Sequence, residues 1–163
     1  MLGSPGQRWV LGIDCGTAIT GWAVLQQSGN TILLKAAGAI LTPAKEDTSL
    51  RLKLIFDSLS KIISAYKPKE MAVESLFFFK NQKTVMQVSQ ARGVILLCGA
   101  ISKLKIASYT PLQVKSAVTG YGRAEKKQVQ FMVKKILRLK ETPKPDDVAD
   151  AIAIAICHLN SSR

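Results

Sequence analysis

The chain has 163 residues, of which 47% are hydrophobic, and 23 Lys and Arg stand against 11 Asp and Glu for a net charge of +12. That length and apolar content allow one domain with a real core and exclude a disordered chain. The cationic excess points to a polyanionic partner, because each phosphate neutralised by Lys or Arg releases counterions.

The first ordered stretch is Trp9 to Ile13, a short apolar run with β-branched Val10 and Ile13 that reads as a buried strand. Asp14 ends it and Gly16 opens a turn. A carboxylate at the end of a buried strand needs a cation, a donor or a metal, since burying it alone is costly. Ala18 to Leu25 predicts a second strand, Ser28-Gly29-Asn30 a hairpin turn, and Thr31 to Ile40 a third strand. Ser49 is placed to cap a helix through Leu50, Leu52, Leu54, Ile55, Leu59, Ile62 and Ile63, with Arg51, Lys53, Asp57 and Lys61 between them. Lys67-Pro68-Lys69 stops it, and Glu70 to Glu74 is a short strand that again ends on a carboxylate. A helix between strands implies a crossover, which makes this strand parallel to the first.

Three consecutive aromatics follow, Phe77 to Phe79, flanked by Lys80 and Lys83. Phe77 is expected exposed, with Phe78 or Phe79 buried. A long, charge-poor helix from about Gln82 to Lys103 comes next, then a strand at Ile106 to Tyr109 and a short helix from Pro111 to Val118. Ala124 to Leu139 is a Lys-rich helix, Glu141 to Pro145 a linker, and the last helix runs from Asp146 or Asp147 to about Leu159. The expected architecture is α/β: a mixed sheet of about five strands, three antiparallel and then parallel, flanked by helices.

No apolar run reads as approaching the roughly 20 residues that span a bilayer, so no membrane is expected. Met1 to Gln7 lacks the basic-then-apolar order of a secretory signal. Cys15, Cys98 and Cys157 are widely spaced and fit buried free thiols in a reducing cytosol. His158 lies two helical turns beyond Asp150, too far to join its chemistry, and reads as structural or surface.

Asp14, Glu74, Asp147 and Asp150 form the acidic constellation. Parallel strands put their C-terminal ends on one edge of a sheet, where α/β folds bind ligands. Asp147 and Asp150, three apart, share a helix face. Val148 to Ile156 is almost wholly apolar and packs that helix on the core. Grouped carboxylates repel one another steeply in a low dielectric, and a divalent cation relieves this. All-oxygen ligands favour Mg²⁺, with Mn²⁺ able to substitute. Two such ions can activate water and stabilise a leaving phosphodiester oxygen. Taken singly, the same residues also read as a turn former at Asp14, a surface Glu74, and helix-dipole or capping acids at Asp147 and Asp150.

In order, Gly12-Ile13-Asp14-Cys15-Gly16-x-x-x-Thr20-Gly21, then Glu74 with Phe77, Asn81 and Gln90-Ala91-Arg92-Gly93-Val94, resemble the opening and middle motifs of the RuvC family of Holliday junction resolvases, within the RNase H-like nuclease superfamily. Gln113-Val114-Lys115, Gly120-x-Gly122-x-Ala124-x-Lys126-x-Gln128-Val129 and Asp147-x-x-Asp150-Ala151-x-Ala153-x-Ala155 resemble its basic segment and final helix. Cys15 departs from the family's usual Pro, and the chain has little tail beyond the last helix.

The resemblance implies one RNase H-like endonuclease domain over 1–163. It implies Asp14, Glu74, Asp147 and Asp150 as ligands of two metal ions, with Asp146 an open candidate beside Asp147. Lys126 joins the catalytic set. Lys115 and Lys126 take phosphate contact or charge stabilisation, and Lys127 assists. Phe77 stacks on bases, while Lys83 and Arg123 contact the backbone. The implied partners are four-way junction DNA, a second copy of the chain seamed along the long helix, and a branch-migration helicase complex. The implied location is cytoplasmic and nucleoid-associated. An RNA-processing nuclease of the same fold shares the carboxylates but not the basic segment. Leu11 to Thr17 also resembles the first phosphate loop of actin and Hsp70-like ATP-binding proteins, which have a second lobe and a second loop that this chain lacks.

Overall fold

A computed structural model describes residues 6–76 and 82–161, without the side chains of Gln82 and Lys83. The expectations for Phe77, Phe78, Phe79 and Asn81, and for the Lys83 side chain, lie outside the described residues.

The strands are β1 (Gln7–Asp14), β2 (Ile19–Ser28), β3 (Thr31–Leu41), β4 (Glu70–Glu74) and β5 (Lys105–Tyr109). They form one sheet in the order β3-β2-β1-β4-β5. β1, β2 and β3 pair antiparallel, whereas β4 is parallel to β1 and β5 is parallel to β4. The hairpin between β2 and β3 turns on Gly29, whose φ of 57° suits a residue without a Cβ. The helices are α1 (Thr48–Tyr66), α2 (Gln82–Ile101), α3 (Pro111–Thr119), α4 (Lys126–Ile136) and α5 (Asp146–Ser161). The α/β mixed sheet read from the sequence is the sheet observed.

Successive side chains along a strand alternate between faces, and the two hydrophobic cores follow that alternation. Leu11 and Ile13 of β1 and Met71 and Val73 of β4 pack with Ile55, Leu59 and Ile95 of α1 and α2. Val10 and Ala72 pack on the opposite face with α3, α4 and α5. Gly12 also faces α5: a Cβ there would lie 2.2 Å from the Ala151 carbonyl oxygen and 2.7 Å from the Ala155 Cβ. The absent side chain lets the Ala-rich face of α5 lie close on β1, which leaves almost all of Val148 to Leu159 buried.

Several boundaries differ from the sequence reading. The N-cap position of α1 is Asp47, whose side chain makes no capping hydrogen bond, and Ser49 sits inside the first turn. α2 ends at Ile101, and Lys103 then turns at φ 58°. α4 is shorter than expected at both ends. Glu125 and Gln128 form a capping box ahead of Lys126, and the chain turns at Arg138 with φ 52°. Contrary to the expectation that no apolar run approaches a membrane span, Thr84–Ile101 is long and apolar enough to cross one by length and composition. In the fold this helix is tied to the sheet. Thr17 Oγ1 donates to the Gln87 carbonyl at 2.8 Å, and Arg92 Nη2 donates to Ser108 Oγ at 2.9 Å.

Candidate active site

Strand alternation aims Asp14 and Glu74 at the same face. In β1 that face carries Val10, Gly12 and Asp14; in β4 it carries Glu70, Ala72 and Glu74. Ile13 pairs with Val73 in the parallel ladder, so Asp14 and Glu74 end neighbouring strands side by side. Adjacent strands lie about 4.8 Å apart. On the other flank Asp14 pairs with Gly21 of β2. A Cβ on Gly21 would lie 2.0 Å from the Asp147 carbonyl oxygen, so the acidic first turn of α5 rests directly on the strand beside Asp14.

The turn after Asp14 is held by hydroxyls. Thr20 Oγ1 donates to the Gly16 carbonyl at 2.6 Å, and Thr42 Oγ1 donates to the Thr17 carbonyl at 2.6 Å. At the end of β4, Arg92 Nε donates to the Glu74 carbonyl at 3.2 Å. Arg92 therefore ties α2 to the strand end that carries the Glu74 carboxylate. It is a positioning residue to which the sequence reading gave no role, although it lies within the quoted Gln90-Ala91-Arg92-Gly93 motif.

The cleft so formed has a volume of about 230 Å³ and is lined by Asp14, Glu74, Asp150, Lys115 and Lys126, with Pro111, Val114 and Val129 among its apolar walls. Its electrostatics are those of crowded, partly desolvated carboxylates. Burial, then the charges of Asp150, Glu74 and Asp147, push Asp14 up to about 7. Burial also raises Glu74, with Asp150 adding and Lys115 opposing. Asp150 is raised by burial against the pull of Lys126. Lys126 Nζ stands 3.3 Å from Asp150 Oδ2 and 3.4 Å from Asp146 Oδ2. Burial works against its charge, but Asp150 and Asp146 outweigh it and hold the ammonium above its ordinary range. Asp146 is more exposed and bonds Lys144 Nζ at 2.9 Å as well.

Asp14, Glu74 and Asp150 thus share one cleft at the sheet edge with Lys115 and Lys126, and Asp147 lies near enough for its charge to raise Asp14. They are not a ready-made ion cage: among the described residues no three His, Cys, Asp or Glu side chains already group for a metal. Lys126 holds Asp150 in an ion pair, and burial favours a neutral Asp14. The donor set is nonetheless all oxygen, and its mutual repulsion is what a hard divalent cation relieves. Lys127 turns away from this cleft into a second cavity with Tyr121 and Phe131. Arg123 is exposed on the loop before α4. Cys15, pushed up to about 12 by burial, remains a thiol.

A mixed five-stranded sheet with carboxylates and lysines gathered at the C-terminal edge of its central strands is the frame of an RNase H-like nuclease. The family described as crossover junction endodeoxyribonuclease RuvC matches residues 10–158, and the chain belongs to that family. A relative from Halothermothrix orenii bearing that description is 57% identical over 154 residues, which is 94% of this chain and 93% of the relative. One from Fusobacterium nucleatum is 53% identical, over 93% of this chain and 80% of its own length. Among solved structures, T. thermophilus RuvC in complex with Holliday junction substrate superposes with a TM-score of 0.91 at 32% identity, covering 96% of this chain and 95% of that one. The yeast mitochondrial Holliday junction resolvase shares the fold, with a TM-score of 0.71 over 94% of this chain at 15% identity.

Proposed function

We propose that the protein is a metal-dependent crossover junction endodeoxyribonuclease that resolves four-way DNA junctions by nicking two opposed strands. The observation that carries this reading is the gathering of Asp14, Glu74 and Asp150 in one cleft beside Lys115 and Lys126, with the charge of Asp147 acting on Asp14, in a chain of net charge +12.

Asp14, Glu74, Asp147 and Asp150 would hold Mg²⁺, or Mn²⁺ in its place, as a pair of ions. When bound, such a pair supplies an activated water and charge stabilisation at the leaving oxygen. The chain's own residues do the rest. The short strand ends and the buried helix hold the carboxylates against their mutual repulsion. Lys126, which pairs with Asp150, would offer its ammonium to the scissile phosphate when the carboxylates hold metal. Lys115, on the other wall, holds a neighbouring phosphate oxygen and offsets developing negative charge. Phe77, Lys83 and Arg123 are assigned to the DNA beyond the cleft, with Phe77 stacking on a base at the opened crossover.

A four-way junction has near two-fold symmetry, so two copies related by a dyad present two sites to opposed strands. α2 supplies the surface for such pairing: Met86, Leu97 and Ile101 are 66%, 56% and 62% exposed along it. The proposed setting is the cytoplasm, in association with the nucleoid, alongside a branch-migration helicase complex. The test is Asp14→Asn. Cleavage of a labelled four-way junction should be abolished while junction binding persists, because the basic surface carries binding. Lost binding together with metal-independent cleavage would refute the reading.

A further inference from the structure

α4 has two working faces. Lys126 and Val129 line the acidic cleft. On the other side Lys127, Gln128, Phe131 and Met132, with Thr119 and Tyr121 of the preceding segment, line a separate cavity of about 410 Å³. The two largest apolar groups there are poorly covered: Tyr121 is 59% exposed and Phe131 is 56% exposed. Lys127, Phe131 and Lys135 are four residues apart in turn, so they form one stripe with the ring between two ammonium groups. Lys135 Nζ lies 5.5 Å from the Phe131 ring centroid. No acidic side chain lines the cavity among the described residues.

Two solvent-exposed rings, one of them under a lysine ammonium, are a poor use of apolar area unless something stacks on them. The rim selects for negative charge, and the floor selects for a flat apolar face. An unpaired nucleotide offers both: every base has a π-face and every linkage a phosphate. Lys127 and Lys135 start about 12 Å apart along the helix, one on each side of Phe131, and Lys135 already leans over the ring, so their flexible stems can converge on the phosphates that flank one base. Because Lys126 and Lys127 are consecutive, the acidic cleft and this cavity flank the same turn of α4.

We propose that this cavity is a nucleotide subsite: an unpaired base of the DNA substrate rests against Phe131 and Tyr121, and its flanking phosphates lie on Lys127 and Lys135. The inference rests on the nuclease reading for its substrate, but its test does not need cleavage.

The experiment measures binding of a short fluorescent oligothymidylate and of a duplex of equal total charge, in EDTA, by anisotropy. Phe131→Ala should weaken oligothymidylate binding about tenfold, the scale of one lost stacking contact, with duplex binding changed less than about twofold. Phe131→Trp should restore the single-strand affinity, which a misfolded helix would not. Unchanged oligothymidylate binding, equal loss on both ligands, or a change in sedimentation alone (a second copy seated on this face) would overturn it. Cleavage of a four-way junction by the unaltered protein is scored separately. Its failure would sink the proposed activity and leave the ratio of single-strand to duplex binding readable.

Discussion

A methyl group at Gly21 would sit 2.0 Å from the Asp147 carbonyl oxygen, closer than any packed structure tolerates. Gly21→Ala should therefore push α5 off β2 and cost about 1–3 kcal/mol, as overpacking does. Urea unfolding measures the loss, and junction cleavage should fall further than stability alone explains because Asp147 moves with its helix. Lys126→Ala is the opposite case. Its side chain is half exposed and pairs only with Asp146 and Asp150 among the described residues. Turnover should drop on the order of a hundredfold, the scale of a lost charge-stabilising donor, while the melting temperature barely changes. An unchanged turnover would remove Lys126 from the machinery. The residue types at these positions could be picked from the sequence. The Lys126–Asp150 pairing could not, because it depends on α4 meeting α5 across a loop that no periodicity describes.

At the scale of elements, α5 is pinned at both ends. Asp150 to His158 spans about 12 Å of helix, and Glu74 to Glu70 spans about 13 Å of strand. The lengths match, so the bond at the far end fixes the register at the near one. His158 is buried; its Nε2–H donates to Glu70 Oε2 at 2.7 Å, and the Tyr109 hydroxyl donates to its Nδ1 at 2.7 Å. Arg8 Nη2 closes on Glu70 Oε2 at 2.7 Å. The Arg8 hydrogen bond chiefly, with His158 adding against the cost of burial, holds Glu70 down at about 2, and burial holds His158 below its ordinary value. Both groups bind protons more readily in the unfolded chain, so both withdraw stability as acid is added. His158 contributes to the loss below about pH 6.5, and Glu70 between about 4.5 and 2. Glu70→Gln should flatten the fall of the urea midpoint between about pH 5 and 3; an unaltered slope would count against the network. The strands and most helices were legible because their apolar periods are clean. This network was half legible: His158 was read as structural or surface, but Glu70 looked like an ordinary strand opener. The start of α1 is not legible because Asp47 and Ser49 are equally good capping types, and the helix begins between them at Thr48. The apolar length of α2 is hidden in the sequence because Gln87, Ser89, Gln90 and Arg92 interrupt it, although only Arg92 among them is charged.

For the whole molecule, the charge and the pairing surface make separate predictions. Junction affinity should fall steeply with salt, linearly on logarithmic axes, as phosphate-dominated binding does. Sedimentation at micromolar concentration should give a dimer, and Met86→Glu with Leu97→Glu should shift it to monomer and uncouple the two nicks. A wild-type monomer with full paired nicking would contradict that assembly. What the chain order revealed was the sequence of carboxylates; what only the fold reveals is that Gly12, Gly21 and Arg92 are the reasons they meet.

The most direct measurement is incubation of a labelled four-way junction with the protein, with Mg²⁺ and in EDTA. The account predicts paired nicks in opposed strands with the cation and an intact, bound junction without it. Nicking in EDTA, or an uncut junction at saturating Mg²⁺, would contradict it.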